Sequence, residues 1–140
     1  MSSVIGKQSL ANSHRSSVMH FYDLEIWKQS NELCIEIYKL TENYPKKEVF
    51  GIVNQIRRAA ASVGANIAEG FGRFHFKDKI KFYYNARGSV CEVQNFLFLS
   101  QDLKYINKGT AREIFIKYEN LNKRLNQFIK SVNNKMTDNC

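Results

Sequence analysis

At 140 residues, with one proline, seven glycines and a net charge of +8, the chain is long enough to bury one core without disulfides or metal, has too few turn signals for an all-β domain, and is basic enough to favour an anionic partner. Its three cysteines, Cys34, Cys91 and Cys140, share no close spacing, which argues against a secreted disulfide framework and for a reducing cytoplasm. No apolar run approaches the roughly 20 residues of a membrane span, and residues 1–20 lack the apolar middle of a signal peptide.

Those first 20 residues, MSSVIGKQSLANSHRSSVMH, are serine-rich and without sustained periodicity, and read as a flexible leader outside the fold. Asp23 is placed to cap a first helix through LEIWKQSNELCIEIYKLTENY, where Ile26, Leu33, Ile37, Leu40 and Tyr44 recur at helical spacings before Pro45 ends it. A second helix is expected from about Lys46, with Ile52, Ile56, Ala59, Val63 and Ile67 on one face and Gly70 and Gly72 closing it. The third, from about Lys77 to Leu103, carries Tyr83, Ala86, Val90, Val93 and Leu97 in a three-four rhythm. Thr110 and Glu113 form a T-x-x-E capping box for a fourth, faced by Ile114, Tyr118, Leu121, Leu125, Phe128 and Val132. Short connections leave successive helices as neighbours, so the expected fold is all-α: an antiparallel up-down-up-down four-helix bundle over residues 21–134, with residues 135–140 frayed.

Charge is uneven along this plan, −3 over residues 23–43 and +5 over 104–140. Such polarity either draws neighbouring helices together or lays a basic outer stripe on helix four.

The segment NQIRRAAASVGANIAEGFGR, residues 54–73, carries two further patterns. Ala60, Gly64, Ala68 and Gly72 form a smooth stripe that permits close approach of another helix, which is the reason expected for a glycine that costs ~1 kcal/mol in a helix interior. Arg58, Ser62, Asn66 and Glu69 form a polar ribbon, and Arg87, Ser89 and Glu92 on helix three offer matching partners, so a buried structural network of Arg58, Asn66, Glu69, Ser89 and Glu92 is expected across the interface. Arg57 lies about 100° from Arg58; Arg58 is expected to point inward to a carboxylate, and Arg57 toward a neighbouring subunit or a phosphate.

No metal, cofactor or catalytic site is expected. His14, His20 and His75 fall in the leader or a loop, and the Glu-x-x-His pairs of a di-iron bundle are missing. The G-x-G of EGFGR follows no strand, so a helix C-cap explains it better than a nucleotide loop. In GRFHFKDKIKFYYNAR, Arg73, Lys77, Lys79, Lys81 and Arg87 alternate with Phe74, Phe76, Phe82, Tyr83 and Tyr84, a pattern suited to phosphates and stacked bases, with Phe74 and Phe76 expected to be free of the core.

FYDLEIW at 21–27, IYKLTENYPKKEVFGIVNQIRRAAASVGANIAEGFGR at 37–73 and FYYNARGSVCEV at 82–93 together resemble the bacterial four-helix-bundle proteins related to the 23S rRNA intervening-sequence proteins. The resemblance covers roughly residues 21–132. It implies a four-helix bundle and, as in the accessory proteins of diversity-generating retroelements, a ring-shaped homopentamer that binds a reverse transcriptase and nucleic acid through a basic surface. Arg57, Arg58, Asn66, Glu69 and Gly70 match its second-helix motif, and Gly88, Ser89 and Glu92 its third, none of them with an implied catalytic role.

The function expected is therefore non-enzymatic binding of RNA or DNA by an oligomer, through Arg57, Arg73, Lys77, Lys79, Lys81, Lys117, Lys123 and Arg124, without strong sequence specificity. A scaffold that docks a partner enzyme such as a reverse transcriptase is the alternative, and a hydrolase using Glu69 and Glu92 is a third.

Overall fold

The computed structural model describes residues 18–138. Four long helices, α1 (Glu25–Thr41), α2 (Ile52–Gly72), α3 (Phe76–Asp102) and α4 (Lys108–Asp138), follow one another, with single 3-10 turns at Phe21–Asp23 and Lys46–Glu48. The expected leader lies outside the described residues except for positions 18–20, as do His14 and Cys140. At the other end α4 continues to Asp138, past the boundary expected at 134.

Contacts between successive helices run in opposite senses. Arg57 at the start of α2 reaches Tyr38 and Thr41 at the end of α1, whereas Gly64 lies against Trp27 and Ser30 near the α1 start. Gly70 meets Tyr83 and Ser62 meets Ser89; Arg87 meets Asn126 and Gln94 meets Glu119. Lys117 with Glu36 and Arg124 with Gln29 close the ring from α4 back to α1. The result is an antiparallel four-helix bundle whose centre is filled by Ile37, Ile56, Val63, Val93, Tyr118 and Leu121, all inaccessible to solvent.

The helical periods locate these buried faces well, but the helix ends fall elsewhere than expected. Asp23 does not cap α1: its carboxylate accepts the His20 backbone N–H at 2.9 Å and closes the preceding 3-10 turn. Lys46 does not open α2, because Glu48 is held by the Tyr105 hydroxyl, 2.7 Å away, and the chain then turns through Gly51, where a Cβ would stand 2.5 Å from the Glu48 carboxylate. Thr110 and Glu113 do not cap α4. Asn107 does, its side-chain oxygen accepting the Thr110 N–H at 2.7 Å, while Glu113 turns toward Lys117.

The end of α3 is closed by its own backbone. Tyr105 N–H donates to the Ser100 carbonyl and Lys104 N–H to Gln101, both at 2.9 Å, with Lys104 at φ 65°. This is a Schellman motif built on a lysine where glycine is usual.

Close helix approach also differs from the expected stripe. Gly64 does sit tightly, with a Cβ position 3.1 Å from Ser30 Oγ, but Gly72 faces open space. Between helices, a closer approach than that at Gly64 occurs at Gly70, expected as part of the helix cap and found inside α2, where a Cβ would come 2.6 Å from the Tyr83 ring. Tyr83 itself packs edge-on to Phe128 at 5.0 Å.

Two stability measurements follow. In denaturant unfolding, Gly70→Ala should destabilise the bundle by about 1–3 kcal/mol through overpacking, whereas Gly88→Ala, with nothing within 4 Å of its added methyl, should stabilise it by up to ~1 kcal/mol through helix propensity. Burial pushes the Tyr83 phenol from its ordinary 10.0 up to about 12. A raised phenol pKa favours the fold below the unfolded value and loses that contribution as pH rises, so the unfolding midpoint should drop between pH 10 and about 12. Tyr83→Phe should make the drop shallower.

Candidate functional site

The polar ribbon on α2 is divided by its position on the helix. Ser89 Oγ donates to Ser62 Oγ at 2.9 Å, and the Asn66 amide donates to both the Ser62 hydroxyl, at 2.9 Å, and its carbonyl, at 2.8 Å. This small network ties α2 to α3. Arg58, Glu69 and Glu92 take no part in it and stand exposed; Glu69 pairs with Arg73 at 3.6 Å instead.

Of the two adjacent arginines it is Arg57, and not Arg58 as expected, that reaches a neighbouring helix. Arg58 points to solvent, and Arg57 turns to α1: its Nε donates to Thr41 Oγ1 at 2.8 Å, its Nη2 to the Tyr38 carbonyl at 3.2 Å, and its guanidinium lies over the Tyr38 ring at 4.6 Å. The Tyr38 carbonyl belongs to the last turn of α1, where the Thr41 hydroxyl also donates to it at 3.2 Å and leaves room for a second donor. Arg57 therefore caps a neighbouring helix.

Lys79 does the same one helix later. Its Nζ donates to the carbonyls of Phe71, at 2.7 Å, and Gly70, at 3.4 Å, in the last turn of α2, and partial burial lowers its pKa. Lys117 bridges α4 to α1 through Glu36 at 3.0 Å, and its hydrogen bond to that carboxylate raises its pKa. Arg124 donates to Gln29 at 3.2 Å on the same seam. Arg87, expected opposite Glu69, instead donates to Asn126 on α4 at 2.9 Å and lies over the Tyr84 ring at 4.9 Å.

Removing these engaged groups leaves Lys77, Lys81 and Lys123 of the expected cations exposed and outside the salt bridges of the described residues. Lys77, Lys81, Tyr84 and Gly88 recur at four, three and four residues, so they share one face of α3. The pairings Tyr83 with Phe128, Arg87 with Asn126 and Cys91 with Asn122 set this face beside the second half of α4. There Lys123 and the exposed Lys130 lie seven residues apart, on a common side. Lys130 was missed from sequence, although its seven-residue interval from Lys123 was the available signal.

At the head of this face, Arg73 stacks over Phe82 at 4.7 Å, and Phe74 stands 89% exposed. Phe76, expected to be free, packs against Ile80, Ile129 and Val132. No group of three or more His, Cys, Asp or Glu that could hold a metal occurs among the described residues, nor is any helix there long and apolar enough to cross a membrane.

The family model of the 23S rRNA-intervening sequence proteins matches residues 22–127. The chain belongs to this family. A solved structure from Bacteroides thetaiotaomicron, described as a protein of unknown function from the S23 ribosomal protein family, is similar at 28% identity and a TM-score of 0.67, over 75% of this chain and 98% of that one. None of the curated proteins matches. The span shared with the intervening-sequence family contains Lys77, Lys81 and Lys123 and stops short of Lys130.

The contrast between the adjacent arginines is measurable. Arg57→Ala should cost about 1–2 kcal/mol of unfolding free energy, the scale of lost hydrogen bonds to a charged donor, while Arg58→Ala should stay within about 0.5 kcal/mol of the parent.

Proposed function

We propose that this intervening-sequence family member is a cytoplasmic, non-enzymatic protein that assembles as a homo-oligomer and holds RNA or DNA by its backbone along the α3–α4 face, without reading base sequence. The observation that carries the proposal is the sorting of its cations. Arg57, Lys79 and Lys117 are occupied by other helices, whereas Lys77, Lys81, Lys123 and Lys130 face solvent on one side of the bundle. Phosphates bind such unpaired lysines with release of counterions, and the exposed Phe74 and Tyr84 rings offer faces on which unpaired bases stack.

A binding role is favoured over hydrolysis by the placement of the carboxylates. Ser62 opposes Ser89, so Glu69 and Glu92 depart from that level toward opposite ends of the bundle and lie roughly 15 Å apart along its axis, by the helical rise per residue. Both side chains are exposed to solvent. Assembly into a ring, as the family resemblance implies, repeats the basic face and adds avidity.

Binding to a mixed-sequence single-stranded RNA, followed by anisotropy across a salt series, tests the reading. The combined variant Lys77→Gln, Lys81→Gln, Lys123→Gln, Lys130→Gln should lose at least about tenfold in affinity at low salt, and its slope of log K against log salt should become shallower by about 3, at ~0.7 per phosphate contact. Lys117→Gln should leave the slope unchanged. Equal slopes for the parent and the combined variant would sink the proposal.

A further inference from the structure

The other half of the α3–α4 face has a different character. Between the last turns of α3 and the first turns of α4 lies a cleft of about 300 Å³, walled by Leu97, Phe98 and Gln101 on one side and by Ala111, Phe115 and Ile116 on the other. Phe98 is 54% exposed and Ile116 47%. The Phe98 ring is held against Phe115 at 5.1 Å between centroids, so this wall is formed before anything binds. An open apolar cleft rimmed by polar residues is a surface that the apolar side chains of a partner can fill.

The rim is cationic. Lys108 and Arg112 line the cleft, and Lys104 stands exposed at the adjoining turn. None of the nearby carboxylates lines the cleft: Glu113 is bridged to Lys117, Glu119 accepts the Gln94 amide at 3.2 Å, and Asp102 lies one helical turn beyond Phe98. An apolar floor with a positive border is complementary to a helix that carries apolar anchors on one face and carboxylates along its flanks. Bare nucleic acid matches the border but not the floor, and a neutral apolar segment matches the floor but not the border.

We infer that this cleft docks an acidic amphipathic helix of a protein partner. The anchors of that helix fill the space between Phe98 and Ile116, and its Asp or Glu side chains meet Lys108 and Arg112. The site stands on observations separate from those behind the nucleic-acid proposal and does not need Lys77 or Lys81.

The test uses the full chain and a fluorescein-labelled helical peptide of about 18 residues, five turns, with Leu and Phe at i, i+4 and i+7 and Glu on the flanks. Control peptides carry Lys in place of Glu, or the same composition with the apolar residues scattered. The Glu peptide should bind at least about tenfold more tightly than either control, a difference of ~1.4 kcal/mol. Phe98→Gln with Ile116→Gln should abolish binding while helicity by circular dichroism stays unchanged, since both side chains are substantially exposed. Lys108→Glu with Arg112→Glu should invert the preference toward the Lys peptide, and Lys77→Gln with Lys81→Gln should leave it intact. Equal binding of all three peptides, or indifference to Phe98 and Ile116, overturns the inference. So does self-association of the chain that Ile116→Gln abolishes, which makes a second copy the occupant, or full displacement of the peptide by RNA in the Lys77→Gln, Lys81→Gln variant, which makes the cleft part of the nucleic-acid face.

Discussion

The last turn of every α-helix leaves carbonyl groups without intrahelical donors, and the way this bundle satisfies them determines which of its charges are free. At the end of α1 and again at the end of α2, a cation from the following helix reaches back to close the turn, Arg57 in one case and Lys79 in the other. The negative ends of the two helix dipoles favour the same arrangement. The end of α3 closes instead on the backbone bonds around Lys104. Two of the most conspicuous basic residues in the sequence are thus part of the architecture.

The remaining cations inherit their positions from that arrangement. Lys77 and Lys81 flank Lys79 in sequence, but on a helix they lie together on one side and Lys79 on the opposite one. The α3–α4 face in consequence has two halves. One is edged by lysines with an aromatic floor at Tyr84, and the other has an apolar floor of Phe98, Phe115 and Ile116 with cations at its border. The Gln94–Glu119 hydrogen bond marks the boundary, placing a carboxylate between the halves. On the far side of α3, the Ser62–Ser89 bond keeps the helix in register with α2 and so fixes how far the two halves extend along the bundle.

The buried faces were legible because apolar residues at three- and four-residue spacing carry a signal within one helix. The helix ends were not, since their partners are distant in sequence: Glu48 is fixed by Tyr105 and the end of α2 by Lys79. The reversal at Arg57 and Arg58 was recoverable in principle. Val53, Arg57, Ala60 and Gly64 recur at four, three and four residues, which places Arg57 on the smooth side that meets α1, while Arg58 shares its side with the exposed Asn54, Ala61 and Ala65. Arg58, Ser62 and Asn66 are alike in polarity, but each is turned about 40° further round the helix than the one before. The apolar cleft left no trace of that kind, because Phe98 and Ile116 are separated in sequence and become a pair only when α3 and α4 pack.

Arg57 and Lys79 also change what the connecting segments have to do. Each fastens two successive helices within a turn or two of the place where a loop joins them, so the loop itself need not hold the pair together. In the α1–α2 connection it is Glu48 that is anchored, through Tyr105, whereas Phe50 beside it stands 94% exposed. A cut at Phe50 would therefore leave in place the side-chain contacts by which Arg57 aligns α2 with α1.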